Sequence, residues 1–300
     1  MSVPAATATA NHKPLVGIAL MVTASGVLAS KDGLAKTFLD QVGPVHMIWF
    51  QYVGNFAVMA AIAARWHGWD VIRPAPLGWQ FTRGIASASG VSLLYWALTY
   101  IPLADATAMF MLGPIVVTML SPWVLGERIG WRRKCAIAVG FLGVLVILRP
   151  GFGGDPKGYY ISLAAGVMLG FFYLSNRKLA ASAPPLLNAV HNGLTGAIVL
   201  TLFLPLFWHP VPLSVAPKLV LLIALAVVGQ GFMIWAFSFA PAPVVAPYSY
   251  AMLVFAAFIG YFAFGTFPDA ATWAGIALIV GAGIYIAERE RQLAMGRRLK

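Results

Sequence analysis

Long apolar runs separated by short charged punctuation set the pattern of this chain. Stretches free of Asp, Glu, Lys and Arg cover residues 14–30, 41–64, 84–104, 106–126, 135–148, 158–176, 179–217, 219–268 and 270–287. A helix that crosses a bilayer needs roughly 20 predominantly apolar residues, so most of these runs hold one crossing. The 219–268 run holds two, divided at Ala240-Pro241-Ala242-Pro243, because proline lacks an amide donor and clashes with the preceding turn. The 179–217 run holds one helix followed by the loop Trp208-His209-Pro210-Val211-Pro212. The pattern predicts an all-α membrane protein of ten transmembrane helices, near 14–38, 43–64, 79–100, 102–125, 131–149, 157–180, 186–207, 215–239, 242–265 and 269–287. The first is read as an uncleaved helix rather than a secretory leader cut near Ala29. The fifth has a short uncharged part, so Arg132, Arg133, Lys134 and Arg149 must snorkel at its ends.

Composition agrees. Hydrophobic residues make up 60% of the 300 and charged ones 10%, where a soluble domain carries about 25% charged residues. The mean hydropathy is +0.83. A net charge of +11 in a soluble chain points to nucleic acid, but here the basic residues sit at the ends of apolar runs, where they reach lipid phosphates and set topology. No nucleic-acid partner is expected; membrane lipid is.

Lys and Arg divide unevenly between the two sides. One side collects Lys13, Arg65, Arg73, Arg83, Arg128, Arg132, Arg133, Lys134, Arg177, Lys178 and the tail with Arg289, Arg291, Arg297, Arg298 and Lys300; the other holds Lys36, Arg149, Lys157 and Lys218. The positive-inside rule then predicts both termini in the cytoplasm.

The chain also repeats itself. Trp96-Ala97-Leu98-Thr99-Tyr100-Ile101-Pro102 reads like Trp235-Ala236-Phe237-Ser238-Phe239-Ala240-Pro241, and the same offset carries Gly126 to Gly265. After a two-residue insertion Gly140 falls on Gly281; Gly17 matches Gly158 and Lys36 matches Arg177. The expected organisation is a tail (1–13), a first repeat (14–149), a linker (150–156), a second repeat (157–287) and a basic tail (288–300). Five helices per repeat put the second copy into the membrane upside down. Inverted repeats place a binding site between the halves and permit alternating access.

The residues at these repeat positions resemble a known group. Ile101-Pro102-Leu103-Ala104-Asp105-Ala106-Thr107-Ala108, Pro114, Gly126-Glu127-Arg128, Gly140-Phe141-Leu142-Gly143-Val144 and Arg149-Pro150-Gly151 look like the EamA-type half of the drug/metabolite transporter superfamily. The second half shows Ala246-Pro247-Tyr248-Ser249-Tyr250, Pro268-Asp269 and a helix with Gly281 and Gly283. The pattern is similar to members that import S-adenosylmethionine or riboflavin. The resemblance implies a secondary transporter of a small metabolite in a bacterial inner membrane, with protons or a counter-substrate as the coupling partner. Two departures stand out: Gln51 in Trp49-Phe50-Gln51-Tyr52, where relatives carry an Arg, and Gly265-Thr266, where relatives often carry an acid.

Charges within a spanning helix are costly and are functional candidates by default. Asp32 and Lys36 are four apart, so on a helix they share a face and can pair; alternatively helix one ends near Ser30 and Lys31, Asp32 and Lys36 reach the interface. Asp32 is a candidate for binding a cation or exchanging a proton. Arg83 opens helix three as a site residue or a snorkelling one. Asp105 at the start of helix four reads as a helix-end charge complement, and Glu127 with Arg128 as an interfacial ion-pair cluster. Tyr95, Tyr173, Tyr248 and Tyr250 can stack on a flat ligand and bond its edge. Trp96 and Trp235, equivalent in the repeat, read as belt or ligand residues. Asn176 joins the candidate set; Gln51, Asn55, Gln230 and His191-Asn192 read first as helix–helix hydrogen bonding.

Cys135 is the single cysteine, which excludes an internal disulfide. The sequence shows no metal-ligand cluster, phosphate loop or Ser-His-Asp arrangement, so no metal, cofactor or enzyme activity is expected, and transport draws on a gradient or on exchange. An exporter of amino acids or drugs with the same fold, a membrane enzyme and a non-transporting scaffold are the alternatives. Monomer and homodimer both remain open.

Overall fold

The computed structural model describes residues 14–67, 77–126, 130–148, 156–179, 185–207, 210–240 and 242–298. The predicted tail 1–13, most of the linker 150–156, Arg73, Arg149 and the Glu127–Arg128 pair lie outside them. Among the described residues the α-helices are α1 (Pro14–Lys36), α2 (Leu39–Val42), α3 (Pro44–His67), α4 (Leu77–Ala97), α5 (Leu103–Phe110), α6 (Gly113–Leu125), α7 (Trp131–Leu148), α8 (Pro156–Leu179), α9 (Pro185–Phe203), α10 (Ala216–Phe239), α11 (Ala242–Val245), α12 (Ala251–Phe264) and α13 (Ala270–Arg298). Short 3-10 turns complete the list at Leu204–Phe207, Leu213–Val215 and Ala246–Tyr250.

Helices form because an apolar backbone in lipid must satisfy every N–H and C=O within its own segment. Several are apolar all round, as membrane helices are, and large side chains such as Trp123, Leu202 and Phe262 point outward at 77%, 72% and 79% exposure. Eight helical segments among the described residues are long and apolar enough to cross a bilayer. Two other predicted crossings, α4 and α7, have helical length but more polar sequences. α7 carries Arg132, Arg133 and Lys134 within its 18 residues, and α4 carries Gln80 and Arg83.

Several boundaries differ from the sequence reading. α1 runs through Lys36, so it does not end near Ser30, and Lys31 and Asp32 belong to the helix. The predicted fourth helix is two: α5 stops at Phe110 and α6 restarts at Gly113, with Pro114 in its first turn. The predicted ninth is broken likewise, by a 3-10 turn that contains Pro247. The predicted basic tail is helical, since α13 continues through Arg298.

The two breaks fall at matching places. The offset that carries Trp96 to Trp235 carries Met111 to Tyr250, the last residue before α12. The two helices after the breaks end alike, on Gly126 at φ +67° and Gly265 at φ +66°, a left-handed conformation that glycine adopts without the Cβ penalty.

Packing follows the same correspondence. α1 lies along α10 and α8 along α4; α1 packs on α12, and α8 on α5 and α6; α3 touches α10, and α9 touches α4; α3 meets α9 and α7 meets α13. Close contacts repeat at residue level. Gly17 faces Ala240, and Gly158 faces Ile101; Gly90 faces Met168 and Leu169, and Gly229 faces Val27 and Leu28; Gly84 faces Thr195, and Gly54 faces Ile223. Each pair is the image of the other under the sequence offsets.

Candidate functional site

Polar side chains inside this apolar bundle gather along one face of α4. Gln80, Arg83 and Ser87 stand on adjacent turns at helical spacing, and Tyr95 follows two turns later on the same stripe. Neighbouring helices supply partners at each level.

At the Tyr95 level, the Tyr95 hydroxyl donates to Asp32 Oδ1 at 2.9 Å and lies 3.5 Å from Gln51 Oε1. Lys31 Nζ sits 2.7 Å from Asp32 Oδ1, donates to Gln51 Oε1 at 3.4 Å and lies 5.1 Å from the Tyr95 ring centroid. All four groups are buried: Lys31 6%, Asp32 2%, Gln51 8% and Tyr95 0% exposed. Burial of a charge is costly unless it is paired and hydrogen-bonded, and this cluster meets both conditions.

In the middle, Tyr52 Oη and Ser87 Oγ are 2.6 Å apart and Asn192 Nδ2 donates to the same Ser87 at 3.1 Å. Asn55 Nδ2 donates to Gln230 Oε1 at 2.6 Å, tying α3 to α10. Further along α4, Arg83 donates to Asn176 Oδ1 at 3.5 Å and to the Asn188 carbonyl, while Gln80 Nε2 donates to Asn188 Oδ1 at 3.3 Å. Arg83 is among the largest fully buried side chains.

The candidates from sequence divide accordingly. Asp32 and Tyr95 come together, as do Arg83 and Asn176. The expected Asp32–Lys36 pair does not form. Asp32 takes Lys31, whereas Lys36, at the end of α1, donates to the Ile101 carbonyl at 2.6 Å. Tyr173 and Tyr250 are not hydrogen-bonded to the stripe; Tyr250 Oη is buried without a partner. Trp96, Trp235 and Tyr248 stand apart from the polar stripe with 39%, 57% and 42% exposure, and the two indoles pack edge-on against Phe207 and Phe232. Asp105 lies in the first turn of α5, where its charge complements the helix start, and it accepts from the Tyr159 hydroxyl at 2.9 Å, joining α5 to α8.

Sequence reasoning left Gln80, Ser87, Tyr52 and Asn188 out of the site. The signal for Gln80 and Ser87 was their helical register with Arg83. Gln51 and Asn192 stood only as helix-packing residues. Among the described residues no group of three or more His, Cys, Asp or Glu side chains is placed to hold a metal. What the stripe can do is bind polar or charged groups and hold a proton away from lipid.

The EamA-like transporter family matches at residues 15–149 and again at 156–287. The chain is 25% identical over 291 residues to an S-adenosylmethionine uptake transporter of Rickettsia felis, covering 95% of this chain and 96% of that one. It is 26% identical to a riboflavin transporter of Vibrio cholerae, covering 94% and 99%. It is 28% identical to the pseudopaline exporter CntI of Pseudomonas aeruginosa, covering 92% and 97%. A crystallised protein 24% identical in sequence shares the fold, with a TM-score of 0.62 over 91% of this chain and 94% of that one. Two copies of one family domain, spread over a multi-pass helical membrane protein, identify the chain as a member of the EamA-like transporter family.

Proposed function

We propose that this protein is a secondary carrier of a small metabolite in a bacterial inner membrane. It has ten crossings in two inverted five-helix repeats (14–149 and 157–287), both termini in the cytoplasm, and the substrate path between the halves. Paired packing of α1 on α10 with α8 on α4, and the matching glycine contacts, support the repeat; α4 and α7 are the ninth and tenth crossings. The single observation that carries the carrier reading is the buried polar stripe of α4, whose partners come from α1 and α3 at one end and from α8 and α9 at the other. Polar groups inside membrane proteins mark substrate and ion pathways, and this one runs along the contact between the repeats.

The substrate read first is an amphipathic heterocyclic compound such as S-adenosylmethionine or riboflavin, taken inward. The relatives named for uptake of these compounds support it. A second reading, export, is favoured by the similarity to the pseudopaline exporter. Neither reading makes the chain an enzyme. Counterflow into proteoliposomes of purified protein, with S-adenosylmethionine, riboflavin and amino acids as a panel, tests the carrier. Accelerated exchange of at least one compound is the expected result; folded protein that exchanges none of them overturns the reading. Growth of an auxotroph on external substrate separates import from export.

A further inference from the structure

Arg83 is a buried cation whose partners are all neutral. It is 1% exposed, donates to the Asn176 side chain and the Asn188 carbonyl, and leaves Nε without a partner. The Lys31–Asp32 ion pair is held by Tyr95, about 18 Å further along α4 at 1.5 Å per residue. It therefore does not neutralise Arg83. Lysine in such a place sheds its proton; a guanidinium does not. The charge is retained at a cost, and a counter-charge from outside the fold is the group it lacks.

Three features fit the site to an anion. The guanidinium is a planar fork that matches a carboxylate or phosphate through two parallel hydrogen bonds. Its neighbours are the neutral residues Asn176 from α8, Asn188 from α9, and Gln80 one turn earlier on α4. Asparagine and glutamine amides add neutral donors without competing for the charge. Arg83 comes from the first repeat and both of its partners from the second, so parting of the halves at this end uncovers it.

We propose that Arg83 is the anion-binding group of the carrier: it takes a carboxylate or phosphate on the transported molecule, a reading that rests on the transport function proposed above. Asn176 and Asn188 hold the guanidinium while no anion is present. A carboxylate or phosphate offers the guanidinium two parallel bonds with both members ionised, where each asparagine offers one neutral acceptor, so an arriving anion displaces them.

The test uses matched probes that differ by an anionic group: S-adenosylmethionine against its decarboxylated form, and flavin mononucleotide against riboflavin. Binding is measured on full-length protein in phosphatidylcholine nanodiscs, where no anionic lipid competes. Wild type is expected to prefer the anion-bearing member of at least one pair by about tenfold or more, the size of a bond to a charged group. Arg83→Gln brings the ratio close to one. Asn176→Asp places a carboxylate on the existing partner of the guanidinium and also abolishes the ratio, which decides the matter should Arg83→Gln fail to fold. A wild type indifferent to the anion in both pairs, or a ratio unchanged in Arg83→Gln or Asn176→Asp, overturns the proposal. Loss of the preference when phosphatidylglycerol replaces phosphatidylcholine assigns Arg83 to a lipid headgroup and overturns it too. A preserved ratio without counterflow sinks the transport reading and leaves the anion site; counterflow without a ratio does the reverse.

Discussion

Asp32→Asn removes one partner of a buried ion pair and leaves the other in place. In the wild type Lys31 Nζ lies 2.7 Å from the Asp32 carboxylate. After substitution its remaining partners are Gln51 Oε1 at 3.4 Å and the Tyr95 ring at 5.1 Å, one a long neutral contact and the other a weak cation–π contact. Breaking a buried pair by removing one member costs about 3–5 kcal/mol. The Tyr95 hydroxyl still finds an acceptor in the Asn side chain, so the lower end, ~3 kcal/mol, is expected. At about 2 °C per kcal/mol for a chain of this size, that lowers the thermal midpoint by about 6 °C. Lys31→Met is expected to cost a similar amount, because it strands the carboxylate with one tyrosine donor.

The double variant Lys31→Met/Asp32→Asn removes both charges and keeps the Tyr95 bond. Replacement of a whole buried pair by neutral groups is often close to neutral, so it is expected to melt within about 1 kcal/mol of wild type. Thermal unfolding of the four proteins in one detergent gives the coupling directly. Additive losses in the double variant, or an Asp32→Asn protein that melts like wild type, refute the reasoning, because either result means that water already solvates Lys31. Transport measured on the same four proteins then separates stability from function. If Asp32 carries a cation or a proton, the double variant regains its melting temperature without regaining uptake.

The remaining expectations address the repeat and the packing. Gly126→Ala and Gly265→Ala each force a side chain into φ near +67° and +66° and should cost about 1–2 kcal/mol apiece; thermal melts that show one costly and the other free would argue against equivalent helix ends. Gly143→Ala sets a Cβ 2.8 Å from the Gly275 carbonyl oxygen, a backbone atom that cannot swing aside, so α7 and α13 must separate at about 1–3 kcal/mol, read as a lowered midpoint. Reporter fusions at Met1 and Lys300 should both report the cytoplasm, and a tail on the opposite face would contradict an even number of crossings.

Much of the fold was legible because lipid simplifies the code. Uncharged run length marks a crossing, and proline or glycine marks an end, so Gly126 and Gly265 could be paired before their shared left-handed backbone was seen. Breaks within a crossing were harder. Pro114 and Pro247 both flagged kinks, but a proline sits readily in the first turn of a helix, and each here lies at a restart rather than at a bend in a continuous helix. The polar tail also misled: α13 carries its helix past Ala287 to Arg298, since Glu, Arg and Gln are good helix formers once outside lipid.

The candidate site shows where one-dimensional spacing fails. Residues four apart face each other on a helix and adjacent ones do not, which favoured Lys36 for Asp32. Yet Lys36 stands on the last residue of α1 and turns to the Ile101 carbonyl, while the long stem of Lys31 brings its ammonium back over Tyr95 and onto Asp32. Burial decides the choice: both members of the Lys31–Asp32 pair are sealed in the bundle, where each needs the other far more than it does at a helix end. Trp96 and Trp235 fail for the opposite reason. Their equivalence in the repeat belongs to the outer surface, so repetition marks architecture, whereas burial combined with polarity marks the candidate site. Gln80, Arg83 and Tyr95 meet both conditions, with the half-buried Ser87 between them, on a helix whose neighbours come from both repeats.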